Sequence, residues 1–185
     1  MSNTGCGVVG SALGWGPRGR RFEPGHPDLY FMFNHDPKNY RCPLCAIRDG
    51  IEGDFPYSKQ ADIFFKDEFT TAIIASHWWP TNKGHVLIFP NEHVENIYDI
   101  SDELLSRVHS FAKKVAIAMK ELYRCGGITV RQNNEQPGDQ DVWHFHLHVF
   151  PRYTGDSIDQ TSGLRQLSEP EKRVPYSEKL KRYFS

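Results

Sequence analysis

The chain has 185 residues, 38% hydrophobic and 24% charged, with a formal net charge of -1. That is enough for one domain with a core, inside the ordinary globular range. The balance leaves no global basic field to draw in nucleic acid, so no nucleic-acid partner is expected. No apolar run reaches the length of a membrane span, and the glycine-interrupted N-terminus lacks the pattern of a signal peptide. Four cysteines, two of them in Cys42-Pro43-Leu44-Cys45, suit a reducing, cytoplasmic setting and a metal or redox pair better than a disulfide framework.

Residues 1–29 are rich in Gly, Pro and Arg, show no period, and read as an arm. The Cys pair at 40–50 is followed by a short helix. Residues 61–66 and 69–76 read as strands joined by a tight turn at Asp67-Glu68. A loop over 78–84 leads into an apolar strand, 85–89, which Pro90 ends. A helical turn is expected within 91–99. The clearest helix follows Ser101, an N-cap with Asp102 and Glu103 in the first turn. Leu104, Val108, Phe111, Ala112, Val115 and Met119 fall at helical spacing, and Cys125-Gly126-Gly127 stops the helix. A strand over 128–132, a polar loop over 133–140 and a strand over 142–150 complete the pattern. The tail from 157 to 185 is polar and charged, with a terminal helix near 177–184. Strand, strand, strand, long helix, strand, strand predicts an α+β domain with a mostly antiparallel sheet.

Residues 144–148 read His-Phe-His-Leu-His. Alternation at the period of a strand puts His144, His146 and His148 on one face, about 6.6 Å apart along the chain. Phe145, Leu147 and Val149 take the other face. Three imidazoles that titrate near neutrality repel one another when protonated, so an anion or a metal should sit over them. A histidine-bearing strand with no role and a three-histidine metal site are the alternatives. A flat strand spaces the rings widely for one ion.

His144-Phe145-His146-Leu147-His148 followed by Val149-Phe150 resembles the signature of the histidine triad (HIT) family. Pro80 with Gly84-His85, the Pro90-Asn91-Glu92-His93 run, Asn133, Gly138 and Gln140, and Pro151 through Asp156 extend the likeness over roughly residues 40–156. The last run is closest to the dinucleoside-polyphosphate hydrolase branch. The resemblance implies a HIT-like fold of about five strands with one long and one short helix, spanning 30–156, and a homodimer. It also implies cleavage at the α-phosphorus of a nucleotide through a covalent nucleotidyl-histidine. His146 would be the nucleophile. His148 would donate to a phosphate oxygen, Gln140 would contact the reacting groups, and Asn133 with the Gly138 loop would cradle phosphate. Dinucleoside polyphosphates are the expected substrates. Phosphoramidates, phosphorolytic nucleotidyl transfer and a non-catalytic nucleotide-binding scaffold are the alternatives. Any divalent cation would arrive with the polyphosphate.

Cys42 and Cys45 have the spacing that lets two thiolates share one metal. By resemblance, His93 and His144 complete a structural zinc site; a reduced, unmetallated pair is the alternative. Where the family usually has Asp or Asn for the ribose, this chain has His77, whose contact with ligand is open. Trp78 and Trp79 either stack on a base or close over a core. Arg152 meets distal phosphates or is merely solvated.

Overall fold

The computed structural model describes residues 33–53, 57–156, 158 and 162–185, and the N-terminal arm expected over 1–29 lies outside the described residues. Five strands form one sheet in the order β1-β2-β4-β6-β5: β1 is Ile63–Lys66, β2 Thr70–Ile74, β4 Val86–Pro90, β5 Gly127–Gln132 and β6 Leu147–Arg152. Every neighbouring pair is antiparallel. Two further short strands, β3 (His77–Trp78) and β7 (Gln166–Leu167), pair with each other. The α+β expectation and its antiparallel sheet are what the molecule has.

Strand alternation divides the sheet into two faces. Ala72, Ile74, Val86, Ile88, Leu147 and Val149 join the main core, which the 22-residue helix α2 (Asp102–Tyr123) covers with Leu104, Val108, Phe111, Val115 and Met119. Ile73, Phe89 and Leu87 turn the other way, toward Leu44 and Ile47 of the short helix α1 (Pro43–Arg48). The side chain of Ser101 caps α2 by accepting from the Leu104 N–H at 3.3 Å. The helix ends at Tyr123, one residue before Arg124, which adopts the left-handed conformation at φ 53°. Gly126 and Gly127 are therefore not the stop. Gly127 already belongs to β5.

Three local expectations differ from what is found. The strand expected over 142–150 begins only at Leu147, because Phe145 N–H donates to the Val94 carbonyl at 2.6 Å rather than to a sheet neighbour. The segment 91–99 has bends and a turn but no helix. The terminal helix α3 spans Pro170–Phe184, beginning seven residues before the expected start. Pro175 inside it removes one backbone donor and hides the helical pattern.

Helix α3 is no solvated tail. Leu180 is fully buried in the main core, and Phe184 packs on Phe64, Phe65 and Phe111. Its deepest anchor is polar. Arg173 and Asp62 are 0% and 1% exposed and pair at 2.8 Å. The Arg173 guanidinium also donates to the carbonyls of Ser168 and Tyr57, and Asp62 accepts from the Lys59 N–H. Both ions depend on these few contacts, so removing one partner leaves a buried charge alone. Asp62→Ala should therefore lose about 3–5 kcal/mol of unfolding free energy. Glu103→Ala, which breaks the exposed pair with Arg107, should lose under about 0.5 kcal/mol. Urea unfolding of both variants measures this. Equal losses would show that the buried pair does not anchor α3.

Candidate functional site

Cys42 begins the site as the N-cap of α1. Its sulfur accepts the Cys45 N–H at 3.4 Å, so the helix start itself holds the two sulfurs together. His93 follows the end of β4, and His144 lies in the bend before β6. The four side chains converge: among the described residues, Cys42, Cys45, His93 and His144 each place one ligand atom within 4.8 Å of the others. His144 Nδ1 lies 3.2 Å from Cys42 Sγ, 3.5 Å from Cys45 Sγ and 3.2 Å from His93 Nδ1, and Cys45 Sγ lies 3.4 Å from His93 Nδ1. A tetrahedral zinc with sulfur at about 2.3 Å and nitrogen at about 2.0–2.1 Å has N–N and S–N edges of about 3.3 and 3.5 Å. The donor set matches that size. His144 Nε2–H donates to the Pro90 carbonyl at 3.0 Å, which leaves Nδ1 bare for a metal. The Cys45 thiol is pushed down by its hydrogen bond to Cys42, then by His144 and His93. Cys42 is correspondingly pushed up, and His93 is raised by Cys45. These four residues can hold a metal.

The other two triad histidines do different work. His146 Nδ1 lies 2.7 Å from the His144 carbonyl, which can only accept, so the ring carries its proton on Nδ1 and Nε2 is bare. His148 is tied to His85, at the start of the apolar strand. His85 Nδ1 donates to the His77 carbonyl at 3.3 Å, so His85 Nε2 accepts from His148 Nδ1 at 2.9 Å. His148 Nε2 is then bare as well. The expectation that His148 donates to phosphate needs amending: the resting ring accepts, and donates only after taking up a proton. Burial agrees, holding His146 below its ordinary value, His148 well below it and His85 down to about 3.

A cleft of about 450 Å³ opens over His148, walled by Trp79, Arg131, Asn133, Gln136, Asp139, Gln140, Asp141, Phe150 and Arg165. Asn133 and Gln140 are there as expected, though the Gln140 amide is committed to backbone. Its Nε2 donates to the Glu95 and Val142 carbonyls, and its Oε1 accepts the Glu135 N–H. Gln140 thereby fixes the loop over residues 133–140. Gly138 sits in the short 3-10 turn Gln136–Gly138 of that loop. Gly138 does not itself line the cleft, and neither do Arg152 and His77. Arg152 is clamped by Asp156 at 2.7–3.0 Å and by Thr129, and His77 lies against Ser76 and the Tyr57 ring. Arg131 faces His148 across the β5–β6 ladder, a placement readable only once the strands are paired. Arg165 arrives from the segment after the sheet and pairs with Asp141 at 2.8 Å. No sequence signal marks it.

Fold and triad define the class, and comparison with known proteins agrees. Residues 58–155 match the family described as the HIT domain, and the chain belongs to that family. It is similar to Protein hit of Bacillus subtilis, with 33% identity over 60% of this chain and 71% of that one. It is also similar to the adenosine 5'-monophosphoramidase of Schizosaccharomyces pombe, with 33% identity over 60% of this chain and 74% of that one. Among solved structures, a zinc-bound histidine triad family protein of Mycobacterium smegmatis superposes with a TM-score of 0.61. It is 26% identical over 76% of this chain and 91% of that chain.

The neutral rings have a consequence for stability. Unfolded, His85 and His148 each take a proton as pH falls through about 6.5. Folded, burial keeps both neutral to lower pH. The unfolded state therefore binds more protons below pH 6.5, and stability is lost as pH falls through that window. From pH 7.5 to 5.5 each ring should cost about 1.4 kcal/mol. The urea midpoint should drop accordingly, and less so in His85→Gln. A midpoint that holds or rises at pH 5.5 would contradict the buried neutral relay.

Proposed function

We propose that the protein hydrolyses dinucleoside polyphosphates at the α-phosphorus. The observation that carries this reading is a pair of bare imidazole nitrogens at one cleft: His148 lines it with Arg131 and Arg165, and the His146 ring, its Nε2 also bare, lies 4.7 Å from that of His148. His146 Nε2 attacks phosphorus, the bond to the bridging oxygen breaks, and the leaving polyphosphate departs with that electron pair. The Nδ1–H stays hydrogen-bonded to the His144 carbonyl, so the ring takes the positive charge without losing its orientation. Water then attacks the nucleotidyl-histidine while His148 Nε2 takes its proton, which the ring afterwards releases to solvent to restore its neutral state. The P–N bond breaks, its pair returns to His146, and the mononucleotide is released.

Leaving-group chemistry supports polyphosphate over phosphoramidate. A phosphate leaving group needs no proton, whereas an amine does, and the resting His85–His148 pair offers none on its cleft side. Arg131 and Arg165 suit distal phosphates, and Asp139 and Asp141 suit a divalent cation carried in with them. The phosphoramidate reading remains the second one, supported by the activity named for the Schizosaccharomyces pombe relative.

A substrate panel decides between them: diadenosine polyphosphates and adenosine phosphoramidate, with and without magnesium or inorganic phosphate. His146→Ala should lose turnover by at least about 10³-fold while retaining nucleotide binding. Wild-type turnover no faster than this variant's would leave a nucleotide-binding scaffold. Arg165→Ala should lower kcat/KM about tenfold on the polyphosphate, about 1.4 kcal/mol, and leave phosphoramidate unchanged. Equal losses on both would remove Arg165 from distal-phosphate binding.

For the metal site we propose zinc, bound structurally by Cys42, Cys45, His93 and His144. Four protein ligands leave no open position, so the ion would hold the α1 start against the bend before β6. Elemental analysis of protein purified without added metal should give about one zinc per chain, and His93→Ala should melt earlier. Metal content near zero with an undiminished melting temperature excludes this site.

A homodimer and a cytoplasmic location belong to the same proposal. The sheet ends in β5, with Val130 45% exposed on that edge and Ile117 47% exposed on α2. Light scattering should return twice the 21.3 kDa chain mass, and Val130→Lys should lower it. A wild-type mass of one chain would end the dimer reading. The free Cys42, Cys45 and Cys125 fit a reducing compartment, which fractionation of cells would test. Among the described residues no helix is long and apolar enough to cross a membrane.

A further inference from the structure

The loop over residues 133–140 walls one side of the histidine cleft and brings Asn133, Gln136, Asp139 and Gln140 to it. That loop folds through one backbone unit. The Glu135 carbonyl accepts the N–H groups of Gly138 at 3.0 Å and Gln140 at 3.1 Å, and the Glu135 N–H donates to Gln140 Oε1 at 2.7 Å. To make these bonds Glu135 adopts φ 62° and ψ 162°. That region belongs almost wholly to glycine, so a residue with a Cβ is strained there. Strain of this kind persists only where the surroundings hold it.

The holder is the segment over residues 33–36, which precedes α1 and lies outside the family match of 58–155. His35 Nε2 lies 2.9 Å from Glu135 Oε2; an ionised carboxylate only accepts, so the ring donates. The Tyr98 hydroxyl donates to the other carboxylate oxygen at 3.2 Å. The segment is itself fastened at a buried carboxylate. Glu95, 3% exposed, accepts the His35 N–H at 2.7 and 2.9 Å and the Asp36 N–H at 3.1 Å. Asn96 Nδ2 donates to the Phe33 carbonyl and to Asn34 Oδ1, and the His35 ring meets Trp143 edge to face at 5.7 Å. The Glu95 carbonyl also accepts from Gln140 Nε2 at 2.7 Å. Glu95 thus ties the segment with its side chain and the far end of the loop with its backbone. An isolated exposed ion pair contributes little. The His35–Glu135 pair instead closes a ring of contacts around the one residue on which the loop's fold turns.

We propose that Glu135 is a positioning residue for the histidine cleft, and that residues 33–36 act through His35 as a strap that holds the 133–140 loop in its strained, ligand-ready form. The proposal rests on the reading that this cleft receives the phosphates of a nucleotide. Without the strap Glu135 relaxes to an unstrained conformation, its carbonyl turns from the Gly138 and Gln140 N–H groups, and the loop residues leave their places in the wall.

Two measurements on the full-length protein separate the loop from the ligand. The first needs no ligand: amide hydrogen exchange at Gly138 and Gln140, read by NMR. Wild type should protect both. Glu135→Ala removes the side-chain ties and keeps the Cβ, so it should speed both about tenfold or more, as should His35→Leu. Glu135→Gly removes the ties and the strain together, so its exchange should stay within about threefold of wild type. The second is calorimetric binding of AMP. Glu135→Ala and His35→Leu should weaken it about fivefold, and Glu135→Gly should recover most of that loss. A thermal melt checks folding, and His35→Leu serves if Glu135→Ala does not fold. Exchange unchanged in all three variants would overturn the strap. Exchange as fast in Glu135→Gly as in Glu135→Ala would remove strain from the account. Faster exchange with AMP affinity unchanged would leave a merely structural tie and end the positioning role. Wild type that binds no AMP would end the nucleotide reading and the positioning role with it, while the same exchange contrast would still support the strap.

Discussion

The hydrogen bond from His146 Nδ1 to the His144 carbonyl, 2.7 Å long, is the constraint on which the chemistry depends. It joins two sites that sequence alone places on one strand face. His144 turns its ring to Cys42, Cys45 and His93, while its backbone oxygen accepts the N–H of the next triad histidine. The residue that completes the metal cluster thus also sets the tautomer of His146, the proposed nucleophile. Had residues 142–146 run as regular strand, that carbonyl would be spent on a sheet neighbour. The bend before Leu147 frees it, and the bend is held by Phe145 N–H on the Val94 carbonyl and by Gln140 on Val142.

His148 is governed by a separate chain of the same kind. The His77 carbonyl fixes His85, and His85 fixes His148, each acceptor dictating the tautomer of the ring before it. Both chains begin at a backbone carbonyl, which cannot change protonation, and both end at a bare Nε2. Burial then matters in one direction only: it keeps these rings neutral, the form in which a nitrogen can attack or take a proton. His77 acts here through its backbone, which explains why its side chain departs from the usual residue type without disturbing the triad.

What could be read from the sequence follows from the range of the interactions. The α2 helix, with Ser101 as cap and its apolar stripe, is a local pattern, and so is the alternation that sorts Leu147 and Val149 from His148. Cys42 and Cys45 were legible through their spacing, and His93 and His144 only through the family resemblance, since 51 positions separate them. Arg131 and His85 were not, because each matters only through its cross-strand or cross-loop neighbour, His148 in both cases. Arg152 misled for the opposite reason: its motif neighbour Asp156, four residues on, takes the guanidinium that a phosphate was expected to take. The start of α3 was hidden by Pro175, and its anchoring by Arg173, since a charged residue gives no sign in sequence that it will be buried.

The segment beyond the family match carries more of the site than its polar composition implies. The match ends at residue 155, yet β7 pairs with β3 beside the His77 carbonyl, and Arg165, just before β7, enters the histidine cleft. That placement is held at a distance. Arg173, bonded to Asp62 and to the Ser168 and Tyr57 carbonyls, locks α3 against the lead into β1, and α3 in turn fixes where β7 ends. Buried ion pairs are a weak source of net stability but a strong source of register, because a shifted arrangement strands both charges. In this chain the register so fixed is that of a cation over the histidine cleft. On the proposed function, the triad would supply the reaction and the C-terminal segment would shape which leaving group the cleft receives.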